Sequence, residues 1–282
     1  MGPSLWYPIG GGAANFGAPA NDPDPTYMTA WDFRTFARAL GATLIGVVVV
    51  WLVTAASDEG QLTVGVRAGR TLPLAPLCSA IGAALALGTA RVRDESRALE
   101  ALGRSPGQTA RAAALGAALP SLLIGLAIGA SSIVDVSGFY PRPTRGDTFV
   151  YADGAFTSST LGVRVTNDGE PHPTAEGPAS AADEGLPRHA RAAASTATAL
   201  AGLALALVTA RAVLRVSLLR RRGRRRRRIV AATQVFVCAL FTLVAFQAAA
   251  ARVAPASLAM LPPAILLGVA LLGYRARHEH AG

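Results

Sequence analysis

Apolar residues fall in six long blocks along the chain, at about residues 39–56, 72–90, 112–134, 192–213, 229–251 and 258–274. Each is close to the ~20 residues that cover a ~30 Å hydrocarbon core. Polar and charged residues collect between the blocks. The pattern predicts an all-α polytopic membrane protein. It has six transmembrane helices, three and three, around a small extracytoplasmic β-containing insert at 135–191. In the insert, 148–151 and 161–166 read as strands, with turns at Asp153-Gly154 and Asp168-Gly169. Residues 170–187 are rich in Pro, Ala and acid and read as loop. A few short strands without a large apolar face make only a marginal domain.

The segments around the blocks complete the organisation. Residues 1–28 are rich in Gly, Pro, Ala and Asn and read as a disordered tail. They hold no basic stretch followed by an apolar run, so no secretory signal is expected there. Thr29-Ala30-Trp31-Asp32 has capping-box spacing with Asp in place of Glu. Trp31, Phe33 and Phe36, with Arg34 and Arg38, predict a short interfacial helix, rings at headgroup level, ahead of the first span. The units are then 1–28, 29–134 with the first three spans, 135–191, and 192–282 with the last three spans and a tail. Residues 57–71 read as a polar connector. Pro73 and Pro76 suit the first turns of the second span, where backbone donors lack helical partners. The third span is rich in Gly, Ala and Ser, which lets helices approach closely in lipid.

Between the second and third spans lies Arg91–Gly107, RVRDESRALEALGRSPG. It predicts a helix over 93–106. Ala98, Leu99 and Leu102 form an apolar stripe, ringed by Glu95, Arg97, Glu100 and Arg104. Gly103 and Pro106-Gly107 read as its end. Such a helix is either a solvated connector or a docking element that passes force from a soluble partner to the spans.

Charge sets the orientation. The 27 basic residues are all Arg. Without Lys there is no Walker A loop and no Schiff-base lysine, so this chain is not expected to hydrolyse ATP. Eight arginines crowd one run, Arg220, Arg221, Arg222, Arg224, Arg225, Arg226, Arg227 and Arg228. With both termini cytoplasmic, 19 arginines lie inside and 8 outside, as the positive-inside bias requires. The run acts as a topogenic stop and suits anionic lipid at the inner leaflet. It lacks interleaved aromatics, so no nucleic-acid partner is expected. Asp and Glu are absent from the six blocks, against a proton-coupled carrier. Cys78 and Cys238 lie in apolar segments as free thiols. His278-Glu279-His280 at the tail and the isolated His172 and His189 do not make a metal site. No Ser/His/Asp set, carboxylate pair or CxxC supports catalysis, and no cofactor is expected.

The layout of three spans, a β insert and three spans resembles the lipopolysaccharide-export permeases of the LptF/LptG (YjgP/YjgQ) family. Glu95, Leu99, Gly103 and Ser105 match the family's coupling helix, roughly E-L-x-A-L-R-A-A-G-x-S. Leu72-Pro73-Leu74, residues 85–94, Arg191, the basic segment before Ile229, and Ala259-Met260-Leu261-Pro262 are similar to further family segments. The 57-residue insert is shorter than the family's β-jellyroll and cannot complete it. The resemblance implies the permease subunit of an ABC exporter in a bacterial inner membrane. It would move an amphipathic lipid, in the family lipopolysaccharide, alongside a second permease subunit. Glu95 would pair with a basic group in the groove of a separate cytoplasmic ATPase, and Leu99 and Leu102 would anchor there. The other reading is a non-transporting scaffold or signalling subunit whose insert senses an outside signal.

Overall fold

The computed structural model describes residues 28–57, 62–140, 150–152, 154–158, 163–166, 168–173, 186–215 and 221–275. Its helices are α1 (Ala30–Ser57), α2 (Val64–Thr71), α3 (Ala75–Leu87), α4 (Ala90–Ala101), α5 (Pro106–Ala130), α6 (Ala190–Arg215), α7 (Arg221–Ala250) and α8 (Leu261–Arg275). Five helical stretches are long and apolar enough to cross a membrane: Ala30–Ser57, Val64–Leu87, Pro106–Ala130, Ala190–Leu214 and Arg226–Ala250. This is the helix set of a multi-pass membrane protein. The sixth apolar block is a shorter helical stretch, Ala256–Leu272, whose first turn, Ala256–Met260, is 3₁₀.

The centre of the bundle is α3, α5 and α6, and its contacts are made by small residues. Ser79 on α3 and Ser121 on α5 share a hydrogen bond of 2.7 Å, and both are fully buried. Gly202 on α6 closes on the same point: a Cβ there would lie 2.2 Å from the Ser121 Cβ. Ser195 donates to the carbonyl of Gly125 at 2.7 Å across the α5–α6 seam. Close backbone approach, with hydroxyls bonded inside the bundle, is how helices associate where lipid gives no hydrophobic drive. α1 and α7 flank this block and expose most of their apolar surface.

The two ends of the bundle differ. One end gathers the start of α1, α4, the end of α6 and the start of α5 around Trp31, Val92 and Leu214. The other holds the 3₁₀ turn Val136–Phe139, the start of α6 and the end of α7. There Phe246 meets Phe139 and Tyr140 edge to face at 5.8 and 5.2 Å. The Tyr140 hydroxyl donates to the Ala190 carbonyl at 2.8 Å, and burial pushes its pKa up to about 12. Arg191 donates to the carbonyls of Ile128, Ser131 and Val134, closing the carbonyl end of α5 with a cation as the helix dipole favours.

The insert holds an antiparallel meander of four strands among the described residues: β1 (Val150–Ala152), β2 (Ala155–Ser158), β3 (Val163–Thr166) and β4 (Pro171–Pro173), in that order. Tyr151 faces Phe156 across β1–β2 with ring centroids 4.8 Å apart. Gly154 and Gly169 take φ of 73° and 77°, as the Asp-Gly turns require.

Several sequence expectations need correction. The interfacial segment and first span are one unbroken helix, α1, capped by the expected Thr29–Asp32 box (Thr29 N–H to Asp32 3.1 Å, Asp32 N–H to Thr29 3.3 Å). Trp31 is packed against the protein rather than exposed as a surface ring, and its indole donates to Glu95. The connector at 57–71 contains α2, packed on the backbone of 133–138 through Gly65 and Gly69. Residues 170–187 contain β4, whose two prolines are tolerated because it is an edge strand. The arginine run is helical from Arg221 and continuous with the fifth span. Residues 1–27 and 276–282, with His278-Glu279-His280, lie outside the described residues, as does Arg220.

Candidate functional site

The segment between α3 and α5 folds into an elbow at the arginine-rich end of the bundle. Gly88 ends α3, and the Thr89 hydroxyl accepts from the Val92 N–H at 3.4 Å to start α4. The α4 helix covers Ala90–Ala101, not 93–106. Its end is a Schellman turn. Gly103 N–H bonds the Glu100 carbonyl at 3.0 Å, Arg104 N–H bonds the Leu99 carbonyl at 3.0 Å, and Gly103 takes φ 90°. Ser105 then caps α5. Its N–H bonds Gln108 Oε1 at 2.9 Å, its hydroxyl accepts from Gln108 N–H at 3.3 Å, and Pro106 occupies the first helical position. Pro106-Gly107 therefore open α5 rather than end α4.

The inner face of α4 is Val92, Ser96 and Leu99. Val92 and Ser96 are fully buried and Leu99 is half-buried against the core. Ser96 passes as an inner residue because its hydroxyl bonds its own helix, at Arg93 O, 2.8 Å. The expected stripe of Ala98, Leu99 and Leu102 is thus split. Leu99 faces in, Ala98 faces out, and Leu102 is 83% exposed at the tip of the elbow.

A polar clamp holds the elbow to α1. Arg104 Nη2 lies 2.6 Å from both carboxylate oxygens of Asp32, and the guanidinium sits 5.8 Å from the Trp31 ring centre. The Asp32 side chain is 6% exposed and that of Arg104 22%. Glu95 accepts from the Trp31 indole at 3.1 Å and from Arg91 Nε at 3.0 Å. The Arg91 hydrogen bond, then the charges of Arg34 and Arg91 and the Trp31 N–H, hold the Glu95 carboxyl below its usual range against a smaller desolvation effect. Glu100 is opposite: burial raises its carboxyl, only partly offset by Arg97, and its Oε1 has no hydrogen-bond partner among the described residues.

No family model, no curated protein and no solved structure matches the chain.

Two clefts flank α7. One, of about 830 Å³, opens between α3 and α7 over α6, lined chiefly by apolar side chains such as Ile81, Leu205, Val235 and Phe236, with Arg228 at its elbow end. The other, of about 460 Å³, lies between α6, α7 and α8 and has Arg226 and Arg227 in its wall. Of the arginine run, Arg226, Arg227 and Arg228 are exposed. Arg221, Arg222, Arg224 and Arg225 are placed as backbone in the first turns of α7. Among the described residues no three His, Cys, Asp or Glu side chains gather to hold a metal.

Sequence reasoning missed the Asp32–Arg104 pair and the Trp31–Glu95 bond. One signal was present: Arg104 is the lone charge between a helix-ending Gly103 and a helix-starting Ser105, so its position is fixed on both sides.

Proposed function

We propose that this chain is the transmembrane permease subunit of an ABC exporter that moves an amphipathic lipid, by resemblance to the LptF/LptG family lipopolysaccharide. The observation that carries the reading is Leu102. A large apolar side chain stands 83% exposed at the tip of an elbow whose position is held by two caps and a buried ion pair. Both features suit a surface that docks a partner. On this reading Leu102, with Ala98 and Ala101 beside it, enters a groove of a separate cytoplasmic ATPase, which supplies the hydrolysis. Glu95 borders that surface, and Gly103 and Ser105 set its angle. The α3–α7 cleft takes acyl chains, and a second permease subunit covers the exposed flanks. Six spans with both ends cytoplasmic, in a bacterial inner membrane, complete the arrangement.

The test is co-purification with the ATPase. Leu102→Asp should cut ATPase recovery at least about 10-fold, the scale of losing one interface anchor, with an unchanged melting temperature. Full recovery of the ATPase with this variant would overturn the reading. Glu95→Gln keeps an oxygen for Trp31 and removes the charge, so loss of binding in it would assign that charge to the partner.

Orientation is tested by labelling. A cysteine at Thr157 should react with an impermeant maleimide in whole cells, and one at Arg226 only after lysis. The reverse order would place the elbow outside and remove the ATPase.

A scaffold or signalling subunit is the second reading. It is favoured by one observation: Glu95 and Arg104 are both bonded within the chain.

A further inference from the structure

The second cleft has a composition that the exporter reading does not use. Along α7 it is walled by Arg226, Arg227, Val230 and Gln234, which share one helix face. α8 supplies Leu266 and Val269 opposite. Arg211 on α6 donates to the carbonyl of Ala270 on α8, which ties these two helices together beside the groove. The cleft is therefore charged at the arginine end of the bundle and apolar further along.

Two polar features in it lack partners among the described residues. Arg226 and Arg227 are exposed, and no acidic side chain there pairs with either. Gln234 lies two helical turns deeper, roughly 10 Å along α7, within a stretch apolar enough to cross a membrane. Its side-chain amide has no hydrogen-bond partner among the described residues, although an amide facing hydrocarbon without a partner is costly. A ligand that satisfies all of this carries an anionic group at the water boundary, hydrogen-bonding atoms just below it, and hydrocarbon beneath. We infer that the α6–α7–α8 cleft is a binding site for an anionic diacyl phospholipid of the adjoining leaflet. Its phosphate sits on Arg226 and Arg227, its ester region accepts from the Gln234 amide, and an acyl chain lies along Val230, Leu266 and Val269. The inference stands apart from the exporter reading, since it needs only that the bundle sits in a bilayer.

The experiment is native mass spectrometry of the full chain in detergent, titrated with dioleoyl phosphatidylglycerol or dioleoyl phosphatidylcholine. Two arginines near a membrane surface give roughly a 30-fold preference for the anionic lipid. Arg226→Gln with Arg227→Gln should reduce phosphatidylglycerol retention to the phosphatidylcholine level. Arg34→Gln with Arg38→Gln removes the same charge from exposed positions on α1 and should leave it unchanged. Leu266→Trp fills the groove without altering charge and should abolish retention, which keeps the test sharp even if the arginine variant folds poorly. Inorganic phosphate at millimolar concentration should not compete. Equal retention in the Arg226/Arg227 and Arg34/Arg38 variants, full retention in Leu266→Trp, or displacement by phosphate alone would each overturn the site.

Discussion

Asp32→Asn should lower stability by about 3 kcal/mol, the cost of leaving one partner of a buried ion pair uncompensated. Asparagine keeps the shape of the side chain and an oxygen for the Thr29 cap. What is lost is the charge opposite Arg104, whose side chain is only 22% exposed and cannot swing wholly into water. In a detergent melt the change corresponds to roughly 5–10 °C. The double variant Asp32→Asn with Arg104→Gln should recover part of the loss, because both charges leave together. Tryptophan fluorescence gives a local readout once Trp6 and Trp51 are changed to Phe. The remaining Trp31, now 7% exposed, should shift to the red as the clamp opens. A melt equal to the parent, or strictly additive single and double variants, would show that the pair does not hold the elbow.

Gly116→Ala should be worse, at about 3 kcal/mol or more, although it adds a single methyl group. A Cβ at Gly116 would lie 2.3 Å from the Phe36 carbonyl oxygen and 3.0 Å from its C and Cα. All three are backbone atoms of α1, so no side chain can swing aside, and α1 and α5 must separate. Pro120 adds to the constraint: it has no N–H to offer the Gly116 carbonyl, so α5 is already one bond short at this crossing. Gly41 on the same α1 is the control, since nothing lies within 4 Å of a Cβ there. Gly41→Ala should be neutral or stabilising by about 0.5–1 kcal/mol. Equal melts for the two variants would mean that the helices do not touch at Gly116.

What was legible in the sequence was what depends on neighbours in the chain. The Thr29–Asp32 box, the prolines that open the second apolar run and the Asp-Gly turns all act over a few residues, and each is found where it was read. Errors came where one residue type serves two opposite purposes. Proline after Gly-Arg-Ser reads as a stop, but Pro106 is the first residue of α5, because a proline can follow one helix or open the next, where the first-turn N–H groups have no helical partner. Leu99 reads as one stripe with Ala98 and Leu102, yet it turns in against the core while they face out, because leucine suits a docking face and a core equally. The clamp was invisible for a different reason. Trp31 and Glu95 are 64 positions apart, and Asp32 and Arg104 are 72 apart. Only the folded path of α1, α4 and α5 brings them together.

The continuity of α7 has one more consequence. Thirty residues of unbroken helix span roughly 45 Å, well beyond the hydrocarbon thickness of a bilayer. The arginines at its start are therefore carried out on a stiff mast rather than spread over the surface by a slack loop. Their charge, with its field, lies at the end of the bundle that holds the elbow, where Arg228 and Gly88 line the same cleft. Acidic proteins will be drawn in along that field and basic ones turned away, with an encounter rate that falls as salt is added. A partner docking there, as the exporter reading proposes, would be selected by its charge before it made contact.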